Sequence, residues 1–319
     1  MTIQEAKPRA FHPAAVVIFF LGITALIVGM LRVHLGGSMG TVQPGGAPTA
    51  HAREPGPLRL VVSLPPLLWP AKGLAPANTE FTLLTPPGSG CEGVEITPAQ
   101  AAAIARADLV IRAGAHLDDS LARHPARRPW QREVTMSDPA GREEQAAAPV
   151  DQHPWLDPIL MEQFVSRLDA AIQSCIEDID AGERAALRGS AAELQRTCRV
   201  IDAEYRDRLA AFKGMSIVTH HDAWTHLAER YGLHVAAVIQ HTHDAEPSPG
   251  DLADAANVIK EGSIRAVFIE PQLNPASAQR IAETTGAKVL VLDPLGHGDW
   301  PTMMRNNLDA LVEGLATTN

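Results

Sequence analysis

Apolar runs of strand length alternate with helix-period segments over the last hundred residues of the chain. Residues 216–220 (SIVTH) form a short apolar run, 222–231 have helical spacing and stop at Gly232, and 234–240 (HVAAVIQ) return to strand character. Ser248 and Pro249 supply a cap and a first-turn proline for a helix reaching Glu261, and 264–270 (IRAVFIE) read as the next strand. Asn274 and Pro275 repeat the signal for a helix ending at Gly286, and 288–293 (KVLVLD) close the series. Strands alternating with helices of about ten residues predict a parallel sheet covered on both faces.

The first half has the same style. Strands are predicted at 58–64, 81–85 and 108–113, with helices at 98–107, opened by Thr97 and Pro98, and at 158–177. Between the halves, 182–212 keep apolar positions at helical period among charges, a length of about 45 Å at 1.5 Å per residue. A helix of that length joins two lobes rigidly. The predicted class is therefore α/β: two parallel-sheet lobes, 58–181 and 214–319, joined by a linking helix at 182–213. The stretch 123–150, rich in Arg, Ala and Pro, reads as a mobile surface loop.

The N-terminus is a separate object. Residues 14–31 (AAVVIFFLGITALIVGML) hold no charge over 18 positions, enough to cross a bilayer, and Lys7 and Arg9 before them place the N-terminus in the cytoplasm. Residues 1–35 are read as a membrane anchor, with a cleaved signal as the alternative, and the Gly- and Pro-rich 36–57 as a flexible tether. The expected location is periplasmic, tethered to the inner membrane.

With 319 residues, 45% of them hydrophobic, the chain is long enough for two cores. The formal charge of −10 argues against a nucleic-acid partner, since phosphate binding needs clustered Lys and Arg. Three cysteines, Cys91, Cys175 and Cys198, cannot all pair; a Cys175–Cys198 disulfide and two buried thiols remain open.

Candidate chemistry gathers at strand ends, where α/β sheets bind ligands. His220 and His221, Glu270 and Asp293 all finish predicted strands. Two segments far apart, HPWLDP (153–158) and THHDAW (219–224), each set an imidazole beside an Asp, the carboxylate that orients a metal-binding histidine. Asp157 and Asp222 read as helix caps or partners of ligands, and His220 points to the opposite side from His221. His116, His226 and His234 read as ordinary histidines. His241 and His243, in the turn after 234–240, are solvated loop residues or entry ligands.

Several segments in the same order resemble the solute-binding proteins of zinc and manganese ABC transporters: ITPAQAAAIARADLVIRAGAHLDD (96–119), HPWLDP, HHDAWTHLAERYGL (220–233), EPSPGDL, IKEGSIRAVFIEPQ and TGAKVLVLDPLG. The resemblance covers the chain from residue 58 onward and implies a metal held between two lobes and delivered to a membrane permease. It places His153, His221 and Asp293 in the metal shell. The first ligand departs from the pattern: the family's loop carries a His, whereas this loop reads PPGSGCEGVEITP (86–98). Counting back from Thr97 puts Glu92 at that position and Cys91 just before it. Glu92 is the expected first ligand, with a Cys91 thiolate or a lost position as alternatives. The His-rich loop of many zinc-binding members is absent.

Two His and two carboxylates suit zinc and, second, manganese, whereas a thiolate would pull toward zinc or copper(I). The expected function is capture of such an ion by a monomer for an ABC permease. A tethered scaffold that has lost its metal is a second reading. A metal-dependent hydrolase is a third, without a nucleophile elbow, Walker loop or H-E-x-x-H to support it.

Overall fold

The computed structural model describes residues 56–86, 88–91, 95–137, 152–176, 181–240 and 246–316. The expected anchor, nearly all of the tether, Glu92, His241 and His243 lie outside these residues. Among the described residues no helix is long and apolar enough to cross a membrane.

The N-terminal lobe begins with β1 (Arg59–Val62), a 3-10 turn and α1 (Leu68–Leu74), then β2 (Glu80–Leu83), α2 (Pro98–Arg106), β3 (Leu109–Arg112), the single turn α3 (Asp119–Ala122) and β4 (Arg132–Thr135). The strands are all parallel, in the order β2-β1-β3-β4. Thr97 and Gln100 form the capping box that starts α2, as the Thr-Pro signal predicts. The expected mobile loop at 123–150 is corrected in part, because β4 lies inside it. REVT is too short and too charged to read as a strand, yet it pairs at a sheet edge, where Glu133 meets Arg112 at 3.0 Å and Arg127 at 2.7 Å.

A 3-10 turn (Pro154–Leu156) leads into α4 (Pro158–Ser174), and α5 (Ala181–Leu209) is the linking helix, running on into a 3-10 turn. Its buried residues Leu187, Ala191, Leu194, Cys198, Ile201, Tyr205 and Leu209 recur every three or four positions. One apolar stripe therefore faces inward along its length. Cys175 and Cys198 carry thiols rather than a disulfide.

The C-terminal lobe contains β5 (Ser216–His221), α6 (Thr225–Arg230), β6 (His234–Gln240), α7 (Pro249–Glu261), β7 (Ala266–Ile269), α8 (Ala276–Thr285), β8 (Lys288–Val291) and α9 (Trp300–Leu315). Its parallel order, β6-β5-β7-β8, repeats that of the first lobe. The predicted elements occur, with helix 222–231 shortened to α6, β5 one residue longer than expected, β6 with the expected bounds, and β7 and β8 trimmed at their ends.

Each sheet buries both faces. On one side of the first, Val61, Ile104 and Val110 pack together; on one side of the second, Val218, Ile259, Val267 and Ile281 do. The other faces share a single core running from Leu60 and Ile111 through Phe164, Ile201 and Tyr205 to Leu311 and Phe268. Each fully buried Leu or Ile in it contributes about 2 kcal/mol. α9 lies so close to the second sheet that a Cβ on Gly314 would come within 2.6 Å of Phe268. The Tyr205 hydroxyl donates to the Met304 carbonyl at 2.6 Å, and Arg305 pairs with Glu204 at 2.9 Å, so α9 is fastened to the linking helix as well.

Candidate metal centre

β5 delivers His221 by strand alternation. His220 and His221 are consecutive and point to opposite faces. His220, 1% exposed, has Nε2 at 3.2 Å from Ser277 Oγ on α8. His221 is the last residue of β5, in register with Gln240, and is 5% exposed at the carboxyl edge of the sheet.

His153 is fixed by the segment that follows it. Asp157 caps α4, accepting from the amides of Ile159 at 2.7 Å and Leu160 at 3.3 Å. Its other oxygen meets His226 Nε2 at 3.0 Å and Arg230 at 3.2 Å, both on α6. Burial alone would raise the Asp157 pKa, but the His226 hydrogen bond, the Arg230 charge and the two amides outweigh it and hold the carboxyl below its ordinary value. Trp155 Nε1 donates to the Pro294 carbonyl at 2.6 Å, and Trp300 Nε1 donates to the Trp155 carbonyl at 2.7 Å. This clasp sets the HPWLDP segment of the first lobe against the 293–300 segment of the second.

Three donors converge at this junction. Cys91, in the loop after β2, has its sulfur 3.5 Å from His153 Nε2. The His153 and His221 rings meet edge to face with centroids 5.4 Å apart. Ligand atoms of Cys91, His153 and His221 all lie within 4.8 Å of one another, and all three residues are buried. With zinc–sulfur and zinc–nitrogen bonds of about 2.3 and 2.0 Å, the S···N edge of a tetrahedron is about 3.5 Å. The observed Cys91–His153 separation fits that edge, so the donor set suits a tetrahedral ion.

Asp293 stands after β8, outside that 4.8 Å group. Its Oδ1 accepts from Gln272 Nε2 at 2.9 Å and from the amides of Leu295 and Gly296 at 3.0 Å each, which fixes the carboxyl. Asn307 on α9 clamps its backbone, donating to the Asp293 carbonyl and accepting from the Asp293 amide, both at 2.8 Å. Glu270, 2% exposed after β7, accepts from Trp224 Nε1 at 3.2 Å.

His153 and His221 are thus brought together from 68 residues apart. Cys91, ranked behind Glu92 by the loop count, is the described member of that loop beside them. The third cysteine, surplus to any single disulfide, was the signal in the sequence. The Trp155–Trp300 clasp and the grip of His226 and Arg230 on Asp157 left no readable pattern, since none belongs to a local repeat. Asp222 accepts from the Thr225 hydroxyl at 2.7 Å at the start of α6, a local turn partner. His116 faces Asp119 at 3.1 Å in the open.

Two parallel α/β lobes, a long linking helix and a buried cluster of metal-type sulfur and imidazole donors define a bilobal α/β protein with a candidate metal site. The chain belongs to the family described as zinc-uptake complex component A, periplasmic, whose profile matches residues 60–314. The zinc-binding lipoprotein AdcA of Streptococcus pneumoniae is 27% identical over 172 residues, 51% of this chain and 34% of AdcA. The high-affinity zinc uptake system protein ZnuA of Bacillus subtilis is 28% identical over 176 residues, 52% of this chain and 54% of that protein. The chain therefore spans about a third to a half of the length of these relatives. In fold it resembles the periplasmic zinc binding protein TroA from Treponema pallidum, with a TM-score of 0.71 at 20% identity, covering 82% of this chain and all of that one.

Proposed function

We propose that this protein is an extracytoplasmic solute-binding component that captures a divalent metal ion at the lobe junction and hands it to an ABC permease. Zinc is the first candidate and manganese the second. The convergence of Cys91, His153 and His221 within 4.8 Å carries the reading, because it gathers three buried metal-type donors from three separate segments of the chain. His153 and His221 supply two ligands, and Asp293 supplies an oxygen through Oδ2. The loop between β2 and α2 supplies the fourth, with Glu92 and Cys91 as its two donors.

In the same reading, residues 1–35 hold the protein at the inner membrane and 36–57 give the binding body its reach, with 58–181 and 214–319 as lobes on the 182–213 helix. The protein acts as a monomer and catalyses no reaction. A closed shell of protein ligands leaves no position for activated water, unlike a hydrolytic site.

The test is metal content and affinity. Purified protein binds one zinc per chain, and His221→Ala abolishes stoichiometric binding while the unfolding profile of the apoprotein is kept. A wild-type protein that binds no divalent metal more tightly than micromolar would sink the reading.

A further inference from the structure

We propose that Cys91 ligates the captured ion through its sulfur and so selects a thiophilic ion, zinc, against manganese. The inference rests on the metal-capture reading and settles which residue of the β2–α2 loop serves. Three observations carry it. The sulfur sits 3.5 Å from His153 Nε2, the edge length of a zinc tetrahedron, and within reach of His221 as well. Cys91 is 3% exposed, so the donor is withdrawn from solvent like the two imidazoles. Beside it lies a small cavity of largely apolar surface, lined by Leu64, Leu84, Ile96 and Leu121 together with Ser63, Asp118 and Ser120.

The other two cysteines supply the contrast. Cys198 is buried in the stripe of α5, and burial pushes its thiol up to about 12, an inert core group. Cys175 caps the end of α4 with its sulfur 3.9 Å from the Asp108 carbonyl. Among the described residues only Cys91 joins a cluster of metal-type donors.

The chemistry is ligand exchange without redox change. The S–H bond breaks, the proton passes to solvent, and the sulfur lone pair forms the metal bond, as metal binding to a thiol requires. Manganese prefers oxygen donors and gains little from sulfur, whereas zinc gains strongly, so one thiolate separates two ions that an all-N/O shell would discriminate less.

The experiment is a cobalt(II) titration of the full chain, followed by zinc and manganese competition titrations. Wild type is expected to show the near-ultraviolet sulfur-to-cobalt charge-transfer band, retained in the Cys175→Ser/Cys198→Ser double variant and lost in Cys91→Ser. Cys91→Asp is expected to shrink the zinc-over-manganese preference by about a hundredfold, in line with exchanging a soft donor for a hard one. The cobalt band is read on the wild type, so a poorly folding Cys91 variant leaves the proposal open to refutation. Cobalt bound without that band, or an unchanged zinc preference in Cys91→Asp, overturns the sulfur assignment while leaving capture by His153 and His221 intact. Failure of the wild type to bind any divalent metal overturns both.

Discussion

The two lobes share one strand order, yet they treat the mouth of the sheet in opposite ways. In the first lobe, β1 runs into Ser63, whose hydroxyl accepts from the Ala113 amide at 3.0 Å and whose carbonyl accepts from the Thr85 hydroxyl at 2.7 Å. Asp118 then accepts from the amides of Ala113 at 2.7 Å and Gly114 at 3.2 Å and from Arg112 Nε at 3.0 Å. Burial works against the Arg112 charge, but Asp118 and Glu133 more than offset it and hold its pKa up. The polar groups at that switch point are spent on one another. In the second lobe the same strand ends carry His221, which joins the donor cluster with Cys91 and His153, and the carboxylates Glu270 and Asp293. The lesson is that topology offers a ligand site at every switch point, and the side chains decide whether it is kept open or stitched shut. The first lobe contributes to the junction from its longer loops instead, through Cys91 and His153.

The sharpest way to break this contrast is at its two ends. His221→Ala should weaken zinc binding by about a thousandfold, roughly 4 kcal/mol, while Ser63→Ala leaves affinity within about threefold, both read by chelator competition. Equal losses would erase the distinction between the mouths. Next, Gly114→Ala should cost about 3 kcal/mol in urea unfolding, since a Cβ there would stand 1.9 Å from Ser137 Oγ at a backbone φ of +76°. It tests whether the first mouth is built for rigidity.

Asp157→Ala should cost about 2–3 kcal/mol near neutral pH, because it removes the α4 cap and a buried carboxylate that His226 and Arg230 share, leaving Arg230 with Asp202 alone. The folded Asp157 pKa is depressed, so its contribution is present above the unfolded value of about 3.9 and is lost as pH falls through the folded pKa. The unfolding midpoints of wild type and variant should accordingly converge in acid. A gap that persists there would assign the cost to packing. Among the variants expected to lose affinity, Asn307→Ala should lose least, since it frees the Asp293 backbone without touching a ligand atom: about tenfold in zinc affinity, roughly 1.4 kcal/mol, by the same chelator competition. No change would remove Asp293 from the set of strand-end donors.

Much of the fold was legible because it depends on local signals. Thr97-Pro98 and Ser248-Pro249 announced α2 and α7, and both close capping boxes with Gln100 and Asp251. The apolar stripe of 182–212 announced the linking helix. β4 escaped because its pattern is charged and its only apolar anchor is Val134, which pairs across to Ile111. His153 and His221 could be named from their segments, since each segment keeps a recognisable order of residues. The first-ligand loop could not be resolved by counting: Cys91 and Glu92 are neighbours, and a count along an irregular loop does not fix which of two adjacent side chains faces the site.

The sequence by itself determined the alternation of strands and helices, the linking helix and the two histidine segments, because periodicity, caps and short motifs are properties of neighbouring residues. Only the tertiary structure decided that Cys91 stands beside His153 and His221, that Trp155 and Trp300 clasp the lobes, and that Asp157 is gripped from α6. Those contacts join residues 62 to 145 positions apart, and their geometry follows from how two sheets pack on one helix rather than from any pattern along the chain.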